Sequence, residues 1–320
     1  MDSPRLLAIA GPTASGKTAL SIELCRRIGG EVVSCDSMMV YRGMDIGTAK
    51  PTQAEMAGIP HHMIDVAEPG ESYSAAQFRD AAREAIADIA RRGRQPVLCG
   101  GTGLYIDAVT RDMSFAAAPA DSAVRAGLER ELGERGAQAM HDELAAVDAP
   151  TAARLHVNDT RRVLRALEIY RVTGTRMSDS AGRAGENREL YDLLLIALDM
   201  PRERLYARIN RRVDEMCAQG LFDEVAGLLG RGLSSGSTAM QALGYKEIAQ
   251  ALSGEVTRAQ AIDNLKQRTR NYAKRQLSWL RRDARVVWLS VGEGDTASTL
   301  ADRAQELMAR RFGRVYAGRI

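Results

Sequence analysis

The sequence predicts an α/β protein with a parallel sheet core, a helical insertion and a helical C-terminal region. In the first third of its 320 residues, short apolar runs alternate with helical stretches such as residues 77–92, the pattern of parallel βαβ units. From about residue 114 to 189, strand patterns give way to helices rich in arginine and glutamate. The simplest organisation is a core of residues 1–113 and 190–320 that carries an insertion, residues 114–189.

The first element is a buried strand, Leu6–Ala10, followed by a glycine-rich loop and a helix. The loop fits the pattern GxxxxGK[ST] in full, and its residues are Gly11, Pro12, Thr13, Ala14, Ser15, Gly16, Lys17 and Thr18. Between a strand and a helix this pattern is typical of a phosphate-binding P-loop, whose backbone amides turn inward around the anion. Lys17 supplies a point charge for phosphate oxygens, and the Thr18 hydroxyl is placed to bind Mg²⁺. We therefore expect a P-loop NTPase-like core with a polyphosphate ligand and Mg²⁺ as cofactor.

Two further strands end in residues that are expected to face the same crevice, because ligands of open α/β sheets bind outside the carboxyl ends of the strands. Asp36 follows the strand Glu31–Ser34, where it is a candidate general base, metal ligand or substrate acceptor. A turn-forming aspartate is the alternative. The strand Pro96–Cys99 runs into Gly100–Tyr105, whose glycines permit close approach of the backbone to a ligand. Thr102 offers a hydroxyl in that turn.

The remaining strands lie on either side of a long helical region. Tyr191–Leu198 is a strand that resumes the sheet after the insertion. After Pro201 the pattern is mostly helical, apart from the short apolar run Val286–Leu289. The pair His61 and His62 has no third ligand at a standard spacing, so we interpret it as part of a packing loop and not as a zinc site.

Composition is that of an ordinary soluble globular protein, with 45% hydrophobic and 27% charged residues. No apolar run reaches the ~18–20 residues that cross a bilayer, so no membrane span is expected. The chain starts directly with the P-loop strand, without a leader pattern, and its four cysteines are scattered without CxxC spacing. These features favour a reducing cytoplasm, and a monomer is the expected state.

Two stretches are strongly basic although the net charge of the chain is only +3. Residues 151–176 contain six arginines against two acidic residues, and residues 266–285 contain eight basic residues against Asp283 alone. Tyr272 and Trp279 are interleaved in the second stretch. Solvated helix faces are the alternative, but two unbalanced segments in a nearly neutral chain favour contact with a polyanion such as nucleic acid.

Taken together, these motifs resemble one family closely, the tRNA dimethylallyltransferases of bacterial type. The blocks that carry the resemblance are GPTASGKT at 11–18, DSMMVYRGMDIGTAKP at 36–51, PHHMID at 60–65, GGTGLY at 100–105, NDTRRVLRALE at 158–168, QALGYKEI at 241–248 and TRNYAKRQLSW at 269–279. The resemblance implies transfer of a dimethylallyl group from its diphosphate to N6 of the adenosine immediately 3′ of the anticodon. Many members have glutamine where Met38 stands, so one polar contact to tRNA is expected to be missing.

The resemblance also implies roles for individual residues. Asp36 would accept the proton of the adenine amino group, and Thr102 would help to hold the base. An arginine on the helix after Pro201 would clamp the diphosphate, and both Arg208 and Arg212 fit that pattern. Contacts to the anticodon stem-loop of tRNA are implied for Asp36, Ser37, Met38, Met39, Thr102, Arg125, Thr160, Arg161, Arg162, Val163, Leu164, Gln241, Ala242, Leu243, Gly244, Tyr245 and Lys246.

Three other functions were weighed against this one. A small P-loop kinase that transfers the γ-phosphate of ATP would have the same loop, but it gives no reason for the basic stretches or for the GGTGLY and GYKEI blocks. Prenyl transfer to free AMP or ADP would need no grip on a nucleic-acid backbone. A tRNA-binding protein without catalysis is disfavoured by the intact Lys17, Thr18 and Asp36.

Overall fold

The structure is a computed structural model that describes residues 4–113, 115, 122–181 and 188–313. Contacts divide the chain into two compact units, one formed by Met1–Thr110 with Leu190–Ile320 and the other by Arg111–Glu189. Of the predicted insertion, residues 114, 116–121 and 182–187 lie outside the described residues.

Strands and helices alternate through the larger unit. Its strands are β1 (Arg5–Ala10), β2 (Gly30–Cys35), β3 (His61–His62), β4 (Gln95–Gly100), β5 (Asp192–Asp199) and β6 (Val286–Ser290). The helices of the described chain are α1 (Lys17–Ile28), α2 (Gln53–Met56), α3 (Ala75–Arg91), α4 (Gly103–Thr110), α5 (Ser122–Val147), α6 (Ala149–Ala152), α7 (Thr160–Thr173), α8 (Met177–Ala181), α9 (Arg202–Ala218), α10 (Leu221–Gly230), α11 (Tyr245–Leu252), α12 (Arg258–Leu280) and α13 (Ala297–Phe312). Helices α5 to α8 belong to the smaller unit.

The strands form one parallel sheet in the order β3-β2-β4-β1-β5-β6. This confirms the predicted α/β class and the strands predicted near residues 6–10, 31–34, 96–99, 191–198 and 286–289. The edge strand β3 was not predicted, because two residues are too short to show an apolar pattern. Gly100 pairs with Cys35 on one side and with Ala10 on the other, so β1, β2 and β4 end side by side.

Alternate residues of each strand are buried in two apolar clusters on opposite faces of the sheet. Leu6 and Ala8 of β1 belong to one cluster together with side chains of α3 and α4, whereas Leu7 and Ile9 join α1 and α13. Burial on both faces is the usual situation of a parallel sheet, and it explains why the strands are almost continuously apolar. Both layers hold the strand ends, and the loops after them, in fixed positions.

Helix α12 packs closely against the turn that follows β4. A Cβ atom on Gly101 would lie 2.1 Å from Nε2 of Gln276, and one on Gly103 would overlap the same helix. A Cβ atom on Gly100 would lie 2.1 Å from the carbonyl oxygen of Cys35. The glycines of this turn therefore permit a close approach of neighbouring protein segments.

The smaller unit has its own apolar core, which includes Leu128, Met140, Leu144, Val163 and Leu167. These side chains come mainly from α5 and α7, the longest helices of this unit. At Gly136 the backbone of α5 leaves helical geometry, with φ of 80° and ψ of 167°.

We expect Gly103→Ala to lower the free energy of unfolding by about 1–3 kcal/mol, because overpacking of a filled interior forces neighbouring groups apart. The added methyl group would lie 2.3 Å from the ring atom Cδ2 of Trp279 on α12, too close for both to keep their positions. Urea unfolding of wild type and variant measures the difference. Gly227→Ala is the matched control, since its Cβ meets only the end of Arg231 at 4.0 Å and alanine favours a helix interior. Equal effects of the two substitutions would contradict this account of the turn.

Candidate active site

A cavity with two lobes lies at the carboxyl ends of β1, β2 and β4. The polar lobe has a volume of about 80 Å³ and is lined by Lys17, Thr18, Ser34, His61 and Cys99, among others. The apolar lobe has a volume of about 250 Å³, and its walls include Ile209, Val213, Met216, Leu243 and Leu265. The residues that line both lobes are Thr13, Asp36, Thr48, Ala49, Arg212 and Tyr272. The lobes therefore meet at a junction that carries a carboxylate, a guanidinium group and a phenol.

The P-loop forms one wall of the polar lobe. Nζ of Lys17 donates a hydrogen bond of 2.8 Å to the carbonyl oxygen of Pro12, which folds the lysine back over the loop. Ala14 has a left-handed φ of 63°, a conformation that is strained for alanine. Nε of Arg208 donates a hydrogen bond of 2.7 Å to the Ala14 carbonyl oxygen and braces this residue. The loop is thus held open around the first turn of α1, where free amide groups attract anions.

Lys17 and Arg212 are partly buried in the cavity, and neither has an ion-pair partner among the described residues. Burial lowers the pKa of Lys17 to about 8, and Arg212 adds to this effect while Cys99 and Asp36 oppose it. Burial also lowers the pKa of Arg212, and the neighbouring Arg208 contributes in the same direction. Because a buried positive charge is costly, an anion that enters the polar lobe gains a strong electrostatic attraction.

Asp36 stands at the junction of the lobes. Its Oδ1 accepts hydrogen bonds from the backbone amides of Met38 at 2.9 Å and Met39 at 3.4 Å, so the carboxylate also shapes the turn after β2. In the described part of the chain no group donates to Oδ2. The turn-forming role that the sequence left open is therefore present, and it leaves one carboxylate oxygen free to accept a proton.

Thr102 lies beside this turn and not among the described residues that line either lobe. Its Oγ1 accepts a hydrogen bond of 3.3 Å from the amide of Ser37, and its side chain interacts with the hydroxyl of Tyr272. Burial raises the pKa of Tyr272, so the phenol stays protonated at neutral pH. The structure therefore places Tyr272, and not Thr102, at the junction.

The two arginines that the sequence could not distinguish occupy different places. Arg212 lines both lobes, one turn of α9 beyond Arg208. Arg208 is outside the cavity lining, and its guanidinium group is engaged with the P-loop backbone. The geometry thus gives Arg212 access to an anion in the polar lobe.

Sequence reasoning missed Tyr272 and Gln276 as residues of the site. Both lie on α12, one turn apart, and both line the polar lobe. The available signal was their position in the block TRNYAKRQLSW, where an aromatic and an uncharged amide interrupt a basic run. It indicated contact with nucleic acid and did not show that one face of α12 covers the P-loop.

A carboxylate of α10 holds the loop that forms another wall of the cavity. Glu224 accepts hydrogen bonds from the amides of Asp45 at 2.9 Å, Ile46 at 2.8 Å and Gly47 at 3.0 Å. The hydroxyl of Tyr245 donates to the same carboxylate at 2.6 Å. A Cβ atom on Gly47 would lie 2.5 Å from the ring of Tyr245, so glycine is required there. We call these five residues the Glu224 clamp.

The residues of the larger unit that were expected to contact RNA differ in exposure. Gln241 is exposed, and Ser37, Met38, Met39, Leu243 and Lys246 are partly exposed. Ala242, Gly244 and Tyr245 are buried, and Tyr245 has no exposed surface. The side chain of Tyr245 belongs to the Glu224 clamp, so the structure does not bring it to a surface that RNA could touch.

In the smaller unit, the expected RNA contacts lie at the start of α7. Arg161 and Arg162 are exposed and Thr160 is partly exposed, whereas Val163 and Leu164 are buried in the core of this unit. Helical periodicity explains the difference, because consecutive residues of a helix point to different sides. Arg125 is ion-paired with Glu129 at 2.9 Å and lies 3.8 Å from Glu168. Its charge is largely compensated within the unit.

Two groups of basic residues stand out on α12 and in the segment that follows it. In the first half of the helix, Lys266 pairs with Asp214 at 2.6 Å and Arg268 pairs with Glu247 at 2.9 Å. Arg270 donates a hydrogen bond of 2.6 Å to Oδ1 of Asn210. These three cations fix the helix to its neighbours.

The second group lines a wide groove of about 950 Å³ on another face of α12. Lys274, Arg281 and Arg282 lie there together with Arg202 of α9, and Asp199 is the acidic residue of the lining. Within the described ranges none of these four cations has an ion-pair partner. Three of the eight basic residues of the 266–285 stretch therefore lie in one groove.

The oxygen donors of the polar lobe suit Mg²⁺. No group of three or more His, Cys, Asp or Glu residues in the described chain is arranged to hold a metal ion by itself. Mg²⁺ instead binds through one or two protein oxygens together with water and substrate phosphates. Thr18 and Asp36 supply such oxygens in this lobe. Nδ1 of His61 lies 2.8 Å from the Ile59 carbonyl oxygen, and its buried Nε2 has no hydrogen-bond partner among the described residues, which leaves an acceptor for a hydrated ion or ligand.

Comparison with known proteins places the chain in a family. The model of the family described as IPP transferase matches residues 39–283. A tRNA dimethylallyltransferase of Geobacillus thermodenitrificans is 49% identical over 288 residues, which cover 90% of both chains. The crystal structure of a full-length tRNA isopentenylpyrophosphate transferase from Bacillus halodurans has a TM-score of 0.72 and 45% identity, with 96% of this chain and 97% of that chain covered. The structure of a eukaryotic dimethylallyltransferase acting on tRNA has a TM-score of 0.81 and 29% identity, with 97% and 79% covered.

The parallel sheet and the loop at residues 11–18 first define the class, a P-loop NTPase-like protein. The chain belongs to the IPP transferase family within that class, as its sequence motifs indicated. No helix in the described residues is both long and apolar enough to span a membrane.

We expect the affinity for inorganic diphosphate to fall as the pH rises above about 8. The pKa of Lys17 is lowered to about 8 in the folded protein, so the side chain is charged below this pH and becomes neutral above it. The neutral amine no longer attracts the anion, and affinity is expected to fall by up to about tenfold per pH unit. Isothermal titration calorimetry across this range measures the effect.

Lys17→Met is the control for this titration, because it also reports how the ionisation of diphosphate itself changes affinity. The variant should bind diphosphate more weakly than wild type at pH 7. It should not show the further fall in affinity above pH 8 that deprotonation of Lys17 causes in wild type. The same pH dependence in both proteins would show that Lys17 does not titrate in the site.

Proposed function

We propose that this protein transfers a dimethylallyl group from dimethylallyl diphosphate to N6 of the adenosine immediately 3′ of the anticodon in tRNA and releases diphosphate. The observation that carries the proposal is the two-lobed cavity, in which a P-loop and a free carboxylate oxygen face an apolar space. Relatives that share nearly half of the sequence over nine-tenths of the chain are named tRNA dimethylallyltransferases.

In this proposal the polar lobe takes the diphosphate. Loss of diphosphate from the allylic carbon builds negative charge on the leaving oxygens, so catalysis needs donors that are already aimed at them. The amides of Lys17 and Thr18, the ammonium group of Lys17 and the guanidinium group of Arg212 would supply these donors. Arg208 would act indirectly, because it braces the strained Ala14 from outside the cavity.

Mg²⁺ would be held by the Thr18 hydroxyl together with diphosphate oxygens and water, and it would neutralise part of the leaving-group charge. The requirement for Mg²⁺ is part of the proposal, as are a monomeric state and a cytoplasmic location. Removal of divalent ions with a chelator should therefore abolish turnover, and size-exclusion chromatography with light scattering should give one chain per particle.

The apolar lobe would receive the prenyl group and the target base. Its walls of Ile209, Val213, Met216 and Leu265 suit a hydrocarbon and the faces of a purine. The adenine has to leave the stack of the anticodon loop to reach this depth, as bases do in other enzymes that modify them. Met38 lines the same lobe.

Asp36 would act as the general base. The lone pair of N6 attacks C1 of the dimethylallyl group, the bond from C1 to the diphosphate oxygen breaks, and its electron pair leaves with the diphosphate. One N6 proton passes to the carboxylate of Asp36. The hydrogen bonds from Met38 and Met39 to Oδ1 would hold the group in place, with Oδ2 facing the base.

The RNA backbone would lie on exposed cations that the protein does not neutralise. In the larger unit these are Arg202, Lys274, Arg281 and Arg282, which share one groove. In the smaller unit, Arg161 offers a charge of the same kind, whereas the exposed Arg162 is paired with Asp159 at 3.3 Å. Contacts to phosphates are the sequence-independent part of such binding, so these residues would give affinity and the cavity would give selectivity.

One assay tests the proposed reaction. Purified protein is incubated with Mg²⁺, dimethylallyl diphosphate and unmodified tRNA, and the released nucleosides are analysed by mass spectrometry. Prenylated adenosine in tRNA is the expected result. Parallel reactions contain AMP in place of tRNA, or ATP in place of the prenyl donor. Prenylated AMP alone, or phosphate transfer from ATP without prenylation, would replace the proposal with one of the alternatives considered from the sequence.

We expect Asp36→Asn to lower kcat by about 10²-fold or more, because the amide cannot accept the N6 proton. The variant keeps an oxygen for the amides of Met38 and Met39, so tRNA affinity should stay nearly unchanged. Single-turnover kinetics and filter binding measure the two quantities. Asp263→Asn is the matched control, because that residue lies exposed on α12. A turnover like that of wild type in Asp36→Asn would remove Asp36 from the chemistry.

We expect Arg281→Gln to weaken tRNA binding and to reduce the slope of log Kd against log salt by about 1, the effect of one lost phosphate contact. Fluorescence anisotropy over a range of salt concentrations measures this slope. Lys266→Gln removes the same charge from the ion-paired half of α12 and should leave the slope nearly unchanged. Equal slopes for Arg281→Gln and wild type would place the RNA backbone elsewhere.

A further inference from the structure

We propose that Gln276 is a positioning residue that sets the shape of the diphosphate-binding loop, and this inference rests on the proposed function. Its side-chain amide joins two loops that leave neighbouring strands. Oε1 accepts a hydrogen bond of 2.8 Å from the amide of Thr13 in the P-loop. Nε2 donates a hydrogen bond of 2.9 Å to the carbonyl oxygen of Gly101 after β4.

The two partners fix the orientation of the amide. Thr13 N–H can only donate and the Gly101 carbonyl can only accept, so a single placement of oxygen and nitrogen satisfies both. The side chain of Gln276 is buried, with 6% of its surface exposed. Loss of either hydrogen bond would therefore leave a poorly solvated backbone group without a partner, at a cost comparable to the whole bond.

The place of contact makes this amide relevant to substrate binding. Thr13 lines both lobes of the cavity, and the next residue is the strained Ala14. With the Thr13 amide fixed by Gln276, and the Ala14 carbonyl fixed by Arg208, the P-loop is held at two successive residues from two different helices. The loop that leads to Lys17 and Thr18, two residues of the polar lobe, is thus held in shape before any anion binds.

The hydrogen bond from Gln276 to the Gly101 carbonyl oxygen also fixes the position of the oxygen that accepts from Thr13. Gly101 approaches Gln276 so closely that a Cβ atom there would lie 2.1 Å from Nε2. The turn after β4 thus limits where the side chain of Gln276 can lie. A shift of α12 along the P-loop would break the hydrogen bond of Gln276 to Thr13 or to Gly101. Gln276 also lines the polar lobe, but its amide oxygen and nitrogen are hydrogen-bonded to Thr13 and Gly101, so we expect its effect to pass through the loop.

Gln276→Glu separates this role from general stability. The carboxylate still accepts from Thr13 N–H, but its second oxygen would oppose the Gly101 carbonyl oxygen. Protonation of the glutamate restores a donor, and burial beside a carbonyl raises the pKa of such a group above its usual value of about 4.3. Gln276→Met has a similar length and no polar atoms, so it removes both hydrogen bonds at every pH.

The experiment measures binding of inorganic diphosphate by calorimetry at pH 7.5 and pH 5.5, both below the pKa of Lys17. Each variant is compared with wild type at the same pH, which cancels the ionisation of diphosphate. We expect Gln276→Glu to bind roughly 10- to 100-fold more weakly at pH 7.5 and to recover most of this loss at pH 5.5. Gln276→Met should be weaker at both pH values, and Gln267→Glu, the same change at an exposed position of α12, should match wild type.

Two further readouts keep the outcome clear. Steady-state kinetics of Gln276→Glu should show a raised KM for dimethylallyl diphosphate, while the Kd for tRNA stays within about twofold of wild type. If Gln276→Glu binds diphosphate at pH 7.5 with the affinity of wild type, the proposal is overturned. It is also overturned if the variant loses the same affinity at both pH values and its Tm falls in parallel. If wild type itself neither binds diphosphate nor modifies tRNA, the proposed function fails, independently of Gln276.

Discussion

The contact between α12 and the loops after β1 and β4 is the constraint on which the rest of the site depends. The sheet brings three strand ends together, but strand ends alone leave their loops open to solvent. Helix α12 closes this edge with Tyr272, Gln276 and Trp279, which meet the P-loop and the glycine turn at contact distance. At Gly101 and Gly103 of that turn, side chains of α12 occupy the space that a Cβ atom would need.

The electrostatics of the cavity follow from this closure. A P-loop lysine in open solvent would keep an ordinary pKa, whereas the cover of α12 and α9 takes water away from Lys17 and Arg212. The protein thereby holds two partly uncompensated charges in a small space, which raises the attraction for a polyanion and lowers the stability of the empty site. The opposite face of α12 carries its charges in water, where long side chains can follow a flexible nucleic-acid backbone. One face of α12 thus lines the cavity, and the opposite face carries solvent-exposed charges.

The sequence predicted those parts of the structure that depend on local chemistry. The strand pattern, the P-loop and the position of Asp36 at a strand end follow from periodicity and from a motif with a known geometry. Contacts between distant segments could not be predicted in this way. Nothing in residues 44–50 shows that their amides meet Glu224, and nothing in GYKEI shows that Tyr245 fills the space left by Gly47. The same limit explains why Val163 and Leu164 were grouped with exposed arginines, since a motif gives residue order and does not separate the sides of a helix.

The pairing of Thr13 with Gln276 spans 263 positions of the chain, and the Glu224 clamp joins segments that lie 177 to 179 positions apart. A ribosome that makes this protein therefore releases the phosphate loop long before it releases the helix that completes it. Until α12 has emerged, the P-loop of the nascent chain lacks the hydrogen bond from Thr13 to Gln276. Lys17 then also lacks the surroundings that lower its pKa. The complete site therefore forms only after α12 has been made, and a chain that stops before α12 has the motif of residues 11–18 without the contacts of Gln276.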